Sequence, residues 1–231
     1  VMKRNPRHGY PWRGFCFILN FIKRYLSPKL SSESFYLNAG SGGSVYDIPG
    51  VCHHVDIAEN LICKFEKHTV ASIENLPFEN EVFDAVICVG SVLNYCDAIK
   101  SIKEFSRVMK KGGYLVLEFE RSNTGELFFT TEYGKNSTKQ QYDYMGHIHT
   151  LWLYSEKMIS QILDECGLSV IRKKIFHCIS AIANRILHKE EQSGKYAHYD
   201  ILCKPISYLL AHNTILLCKK LWFWFRNCWK N

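Results

Sequence analysis

One stretch constrains this chain more than any other: a strand that empties into glycines. Phe35-Tyr36-Leu37 is a short apolar, aromatic run and predicts a buried strand. It leads directly into Asn38-Ala39-Gly40-Ser41-Gly42-Gly43-Ser44. Glycine has no Cβ, so it takes positive φ cheaply and lets a ligand lie against the backbone. A strand feeding such a turn, at the start of a βαβ unit, is the usual nucleotide site of an open α/β sheet. A second strand, Val51 to Asp56, ends in a carboxylate sixteen residues past Gly40, about where a ribose-binding acid sits in such units. An ordinary loop would explain the glycines alone, and a helix N-cap would explain Asp56. A dinucleotide fingerprint wants a third glycine at position 45, where Val45 stands, so a nucleoside without a pyrophosphate is the better fit.

The remaining chain reads as the continuation of that sheet. Trp12 to Leu26 has helical apolar spacing through Phe15, Ile18, Leu19, Ile22 and Leu26, with Pro28 just past its end. With Phe17 and Phe21 its apolar face is wide; such a helix covers the open mouth of the sheet or lies in a membrane interface, and the first is preferred. Strands are expected at 34–39, 51–56, 69–72, 83–89, 114–119, 168–176 and 213–219. The first two are joined by only a short helical turn. Helices are expected at 58–65, from an Asp97 cap to Lys110 with Gly112 as the stop, and at 156–166 between Ser155 and Gly167. Ser180–His188 looks helical, Lys189–Gly194 looped, and Ile201–Leu210 a helix or turn. The polar stretch from Glu120 to His147 reads as a lid or substrate loop.

Composition closes off several classes. Of 231 residues, 47% are hydrophobic and 22% charged, so the chain can bury a core and is not a disordered one. Ten cysteines without a C-x-x-C pair, and no secretory signal, predict reduced cytosolic thiols. His147-x-His149 is the one histidine pair with ligand spacing; solvent or substrate contact explains it better, and no metal is expected. The net charge of +7 is concentrated at the ends, with Lys3, Arg4, Arg7, Arg13, Lys23, Arg24 and Lys29 before the core and Lys219, Lys220, Arg226 and Lys230 after it. Plain solubility explains each charge taken singly, and a cap helix and a packed tail explain the aromatic ends; with Trp222-Phe223-Trp224-Phe225, weak peripheral contact with an anionic membrane is the other reading.

The motifs in order resemble class I S-adenosylmethionine-dependent methyltransferases. Leu37-Asn38-Ala39-Gly40-Ser41-Gly42-Gly43 looks like their motif I. The register continues through Ala71–Phe78, Val82–Cys88, Ser91-Val92-Leu93-Asn94-Tyr95 and Arg107–Gly113. The likeness is greatest to the subgroup that includes ubiquinone/menaquinone ring methyltransferases and many small-molecule methyltransferases. It implies a Rossmann-like three-layer sandwich: an α/β fold whose mostly parallel seven-stranded sheet ends in an antiparallel strand. Residues 1–33 would be a basic arm and cap helix, 34–219 the methyltransferase domain with a lid at 121–150, and 220–231 a basic-aromatic tail.

The resemblance also implies S-adenosyl-L-methionine as cofactor. The cofactor residues would be Asn38, Gly40, Ser41, Gly42, Asp56, Ile57, Ser72, Ile73, Glu74, Cys88, Val89 and Gly90. Asp56 would take both ribose hydroxyls, Ile57 the adenine face, and Ser72-Ile73-Glu74 the adenine edge. Asn38 and Ser72 stand where the family often has acids. Core packing is the other reading of Cys88. Methyl transfer requires alignment of acceptor and methyl, and a base only if the acceptor must lose a proton. His147, His149, Tyr95 and Glu118 are the candidate bases, each also explained by packing or a surface hydrogen bond. The expected function is methylation of a small-molecule acceptor, at oxygen for preference, by a cytoplasmic enzyme. A lipid-linked or saccharide acceptor at the membrane is the alternative, as is a non-catalytic binding protein. No nucleic acid is expected, for Gly90-Ser91-Val92 stands where an Asn-Pro-Pro-Tyr-type motif would be. The sequence leaves the oligomeric state open.

Overall fold

A computed structural model describes residues 9–144, 147–177 and 207–222. The sheet strands are β1 (Phe35–Ala39), β2 (Val51–Asp56), β3 (His68–Val70), β4 (Phe83–Cys88), β5 (Met109–Glu120), β8 (Leu168–Phe176) and β9 (Asn213–Lys220). Between β5 and β8 a separate hairpin forms from β6 (Ser137–Tyr144) and β7 (His147–Tyr154). The seven-stranded order is β3-β2-β1-β4-β5-β9-β8, and only β9 runs antiparallel to its neighbours. The helices are α1 (Gly9–Phe21), α2 (Glu59–Ile62), α3 (Ala98–Val108), α4 (Glu156–Glu165) and α5 (Ser207–Leu210).

Each face of the sheet has its own core. On one side Leu37, Val86, Leu115 and Leu117 pack with Ile102 and Phe105 of α3 and with Ile159 and Leu163 of α4. On the other, Tyr36, Ala85, Ile87, Val116, Ile215 and Leu217 pack with Ile18, Phe21, Ile22 and Leu26. The alternation of strand side chains between faces divides the two sets. β4 is apolar except for Asp84, whose carboxylate accepts from the Phe35 N–H at 2.8 Å and from Lys110 Nζ at 2.8 Å. Burial of that carboxylate at the start of the strand is therefore compensated by two donors.

The sequence expectations need five corrections. The first helix is α-helical only to Phe21, then π over Ile22–Leu26 and 3₁₀ over Ser27–Lys29, so Pro28 lies within the tightened end. From Ile18 to Leu26 its apolar stripe is buried on a face of the sheet. No helix forms between β1 and β2, and residues 40–50 are turn and coil. The helix expected over 58–65 keeps only the single turn of α2. Lys110-Lys111-Gly112 is not a helix end: α3 stops at Val108 and the segment bulges into β5, between the Phe83–Met109 and Ala85–Tyr114 pairings. The bulge puts Gly112 at φ +80° and leaves room for Lys110 to reach Asp84. Finally, the polar segment after β5 is not bare loop, since it contains β6 and leads into β7, with Leu151 and Leu153 of the hairpin buried beneath. The elements expected at 180–188 and 189–194, most of that at 201–210, and the tail from 223 onward lie outside the described residues.

Candidate functional site

The C-terminal ends of β1, β2 and β4 meet at one rim of the sheet, the edge where ligands of open α/β sheets bind. The glycine turn there is held from three sides. Asn38, buried, donates Nδ2 to Ser41 Oγ at 3.2 Å and to the Ser44 carbonyl at 3.0 Å. Ser41 N–H donates to the Val55 carbonyl at 2.9 Å, and Ser41 Oγ lies 2.7 Å from His54 Nδ1. His54 stacks flat on Phe65, with ring centroids 3.7 Å apart. Burial, then the nearby His53, Lys64 and His68, pushes His54 down to about 4, so the ring is neutral and Nδ1 accepts the Ser41 proton. An acid at position 38 could not donate to the Ser44 carbonyl, which gives the amide at this position a structural reason.

Asp56 occupies the tip of β2. Its Oδ2 accepts from the Gly42 N–H at 2.7 Å and its Oδ1 from the Ala58 N–H at 2.9 Å. Asp56 is not the N-cap of α2, a place that Ala58 takes; its carboxylate braces the glycine turn and its own loop, and each oxygen keeps a further lone pair for a ligand. Gly40, Gly42 and Gly90 have φ of +69°, +53° and +83°. A Cβ at Gly40 would come 2.3 Å from Val92 Cγ1, whereas at Gly42 and Gly90 it would meet nothing within 4 Å. Gly40 is required by packing, and the other two line open space between the tips of β1 and β4. That cradle has a carboxylate at one side and bare backbone below, as a nucleoside with a small polar substituent requires.

Other predicted cofactor residues are dispersed. Ile57 is 76% exposed at the rim. Ser72 is exposed, with its Oγ accepting from the Glu74 N–H at 3.2 Å. Ile73 faces the core at 4% exposure and offers no side-chain surface to a ligand, a correction to its expected place on the adenine edge. Glu74 accepts from the Asp97 N–H at 2.8 Å, steadying the start of α3. Cys88 is fully buried in the α3/α4-side core, where burial first of all holds its thiol well above the usual range, and Val89 packs on the α1 side. Their side chains are core, which for Cys88 is the alternative reading.

The candidate bases separate similarly. Tyr95, exposed, and His149 on β7 meet edge to face, with ring centroids 6.4 Å apart. His147 stands opposite Tyr144 in the hairpin register. Glu118 is buried and already occupied. Its Oε2 accepts from the Gly90 and Ser91 N–H groups at 2.8 and 2.7 Å, and its Oε1 from Asn213 Nδ2 at 2.6 Å. Burial raises its pKa, opposed by these three donors. Asn213 Oδ1 in turn accepts from His177 Nδ1 at 3.1 Å. A hydrogen-bonded line therefore crosses the rim from β4 through β5 and β9 to the end of β8. Glu118 thus clamps the Gly90-Ser91 turn.

Sequence reading missed two more groups here. Asn94, fully buried, donates Nδ2 to the Trp152 and Glu120 carbonyls at 2.7 and 3.0 Å and accepts from the Glu120 N–H at 2.9 Å. It fastens the hairpin to the sheet. His212 Nε2 lies 3.1 Å from Glu120 Oε2, with Glu126 3.9 Å from its Nδ1. Burial would lower His212, but the Glu126 and Glu120 carboxylates outweigh it and hold it up at about 9. No periodicity marks either residue; only the neighbourhood of Asn94 in a family motif pointed that way.

Residues 37–117 match the family model described as a methyltransferase domain. Over that stretch, about a third of its length, the chain carries a methyltransferase domain. A ubiquinone/menaquinone biosynthesis C-methyltransferase of Campylobacter jejuni is 29% identical over 119 residues, 46% of this chain and 50% of that one. The chain spans about half the length of the curated relatives it matches. An S-adenosylmethionine-dependent methyltransferase structure from Clostridium acetobutylicum superposes with a TM-score of 0.56 at 13% identity, covering 91% of this chain and 99% of the other. The geranyl diphosphate C-methyltransferase of Streptomyces coelicolor, solved with S-adenosyl-L-homocysteine, gives 0.58 at 10% identity, covering 90% and 78%. These two likenesses establish the methyltransferase fold along most of the chain, well beyond residues 37–117.

Proposed function

We propose that this chain transfers a methyl group from S-adenosyl-L-methionine to a small-molecule acceptor, at oxygen. The observation that carries the cofactor assignment is the Asp56 carboxylate fixed beside Gly42, at the edge of the open space over Gly42 and Gly90. Asp56 would accept the ribose hydroxyls, the backbone of Gly40–Gly42 would lie along the amino-acid part, and exposed Ile57 would cover the adenine. When bound, the cofactor supplies a methyl group on a positively charged sulfur that leaves as a neutral thioether. Gly90 and Ser91, held by Glu118, would shape the methyl end. Tyr95 and His149 would stand on the acceptor side, the imidazole taking the acceptor hydroxyl's proton. Such a site works by alignment and exclusion of water.

A lipid-linked acceptor is the second reading, favoured by exposed Phe129, Ile148 and Trp152 on the segment and hairpin after β5. Carbon is the alternative acceptor atom, as in the C-methyltransferases named above. Titration calorimetry tests the cofactor. S-Adenosylmethionine or its demethylated product should bind and NAD should not; the reverse would sink the reading. A charged hydrogen bond contributes about 1.5–3 kcal/mol, so Asp56→Ala should weaken binding at least about tenfold with the fold intact. Unchanged affinity would leave Asp56 as a brace of the glycine turn only. Screening metabolites with labelled cofactor, followed by NMR of the product, decides acceptor and atom.

A further inference from the structure

Away from the rim, a groove of about 420 Å³ opens on the α1 side of the sheet, lined by Arg24, Tyr25, Pro28, Lys29, Ile171, Arg172 and Leu217. Its floor is apolar and its walls are cationic. Lys219, facing Tyr114 across the β5–β9 pair, extends the wall, with Lys29 and Lys219 ammonium groups 5.2 and 5.8 Å from the Tyr114 ring centre. Lys174 shares the face of Arg172 on the edge strand, two residues along β8. Neighbouring cations are neutralised: Lys23 pairs with Asp47 at 3.0 Å and Lys173 with Glu156 at 3.0 Å. Among the described residues, none of Arg24, Lys29, Arg172, Lys174 and Lys219 has a carboxylate within 4.0 Å. At the foot of β9, just past Lys219, Leu221 and Trp222 are 40% and 55% exposed.

We propose that this lower end of the molecule docks on an anionic lipid bilayer, with phosphate head groups entering the groove. Unneutralised like charges gathered over an apolar floor repel one another, and a layer of phosphates relieves that repulsion. Tyr25, Tyr114 and Trp222 have the ring-and-polar-tip form that suits the head-group zone, and the long Lys and Arg stems keep their charges at its wet side. A free polyanion would match the charges but not the exposed Leu221 and Trp222 beside them. The groove lies toward the N-terminal ends of the parallel strands, whereas Gly42, Asp56 and Gly90 are at the opposite ends. A chain docked this way turns its candidate site to the aqueous side and takes its acceptor from solution. The inference does not rest on the proposed methyl transfer.

Sedimentation of the full chain with vesicles of phosphatidylcholine, with and without phosphatidylglycerol, tests it. The chain should pellet only with the anionic vesicles at low salt and be released at high salt. Arg24→Gln/Lys29→Gln/Arg172→Gln/Lys219→Gln should weaken that binding more than about tenfold. The equally charged Lys67→Gln/Lys100→Gln/Lys103→Gln/Lys157→Gln should keep most of it, and Trp222→Ser should lower it. Circular dichroism reports whether each variant is folded; the pairs Arg24→Gln/Lys29→Gln and Arg172→Gln/Lys219→Gln serve if the fourfold variant is not. A chain that stays in the supernatant at low salt overturns the proposal. So does equal loss in the two fourfold variants, which would assign binding to net charge. Binding of inorganic phosphate without vesicle binding would also overturn it, in favour of a small phosphorylated ligand.

Discussion

His212 shows how much one buried charge can decide. It sits between two carboxylates, its backbone N–H donates to the His177 carbonyl at 3.0 Å, and its own carbonyl accepts from the Arg121 N–H at 2.8 Å. Its pKa in the folded chain, about 9, lies above the unfolded value of 6.5. The folded state therefore binds the proton more tightly, and the stabilisation is complete below about pH 6.5 and lost as pH rises through about 9. Thermal unfolding should show a melting temperature that falls across that window, and His212→Asn should flatten that part of the profile. At neutral pH the same substitution leaves Glu120 without its cation, which costs about 3 kcal/mol for a broken buried pair. An unchanged slope in the variant would mean that another group titrates there. Nearby, His177 is pushed the other way, to about 4, by burial first of all. Two histidines on one rim thus differ in charge because the Glu126 and Glu120 carboxylates outweigh burial at His212, whereas at His177 burial outweighs the pull of Glu120.

At the scale of elements, the hairpin is the piece most dependent on a single side chain. Among the described residues β6 and β7 pair only with each other; the attachment to the sheet includes Asn94, the Tyr154 hydroxyl on the Cys96 carbonyl at 2.6 Å, the Ser122 N–H on the Tyr154 carbonyl at 3.1 Å, and the bridge between Arg121 and Tyr154. Asn94→Ala removes three hydrogen bonds and leaves the Glu120 N–H buried without that acceptor. We expect a loss of about 2–4 kcal/mol by urea denaturation. Because His149 and Trp152 ride on β7, the acceptor KM should rise more than the cofactor Kd in that variant. Equal changes in both would place the hairpin outside acceptor binding. The clamp at the end of α3 is of the same kind but purely structural. Arg107 holds the Phe78 and Leu76 carbonyls at 2.6 and 2.8 Å while Glu104 holds the Leu76 N–H at 2.7 Å, fixing the turn before β4.

For the whole molecule, the N-terminal helix is half of the packing. Without a helix between β1 and β2, the sheet face made by Tyr36, Ala85, Ile87, Val116 and Leu217 is covered by α1 and its π-helical extension. Gly14 sits so close to the rim that a Cβ there would meet His177 Cε1 at 2.6 Å, so the helix reaches from the groove to the end of β8. Leu26 is fully buried. Leu26→Ala should destabilise the chain by about 2–5 kcal/mol, and removal of residues 1–30 should yield insoluble protein. A truncated chain that stays soluble with native circular dichroism would show the helix to be an accessory.

Local physics was legible without coordinates wherever it decided the outcome. Phe35–Leu37 and Phe83–Cys88 are strands because short, almost wholly apolar runs bounded by turn residues have few other solutions, and Asp97 and Ser155 cap helices because their side chains accept the first free N–H groups. The glycine turn and Asp56 were readable because backbone freedom and carboxylate chemistry are properties of single residues. What the sequence could not settle was which neighbours each polar side chain would meet. Asn38 turned inward to Ser44, Glu118 became a clamp, Ile73 went to the core, and His54, Asn94 and His212 acquired partners from 13 to 92 residues away. Such partners are chosen by the crossing of strands far apart in the chain, where a buried polar atom must find a mate and sequence spacing carries no record of which one it finds.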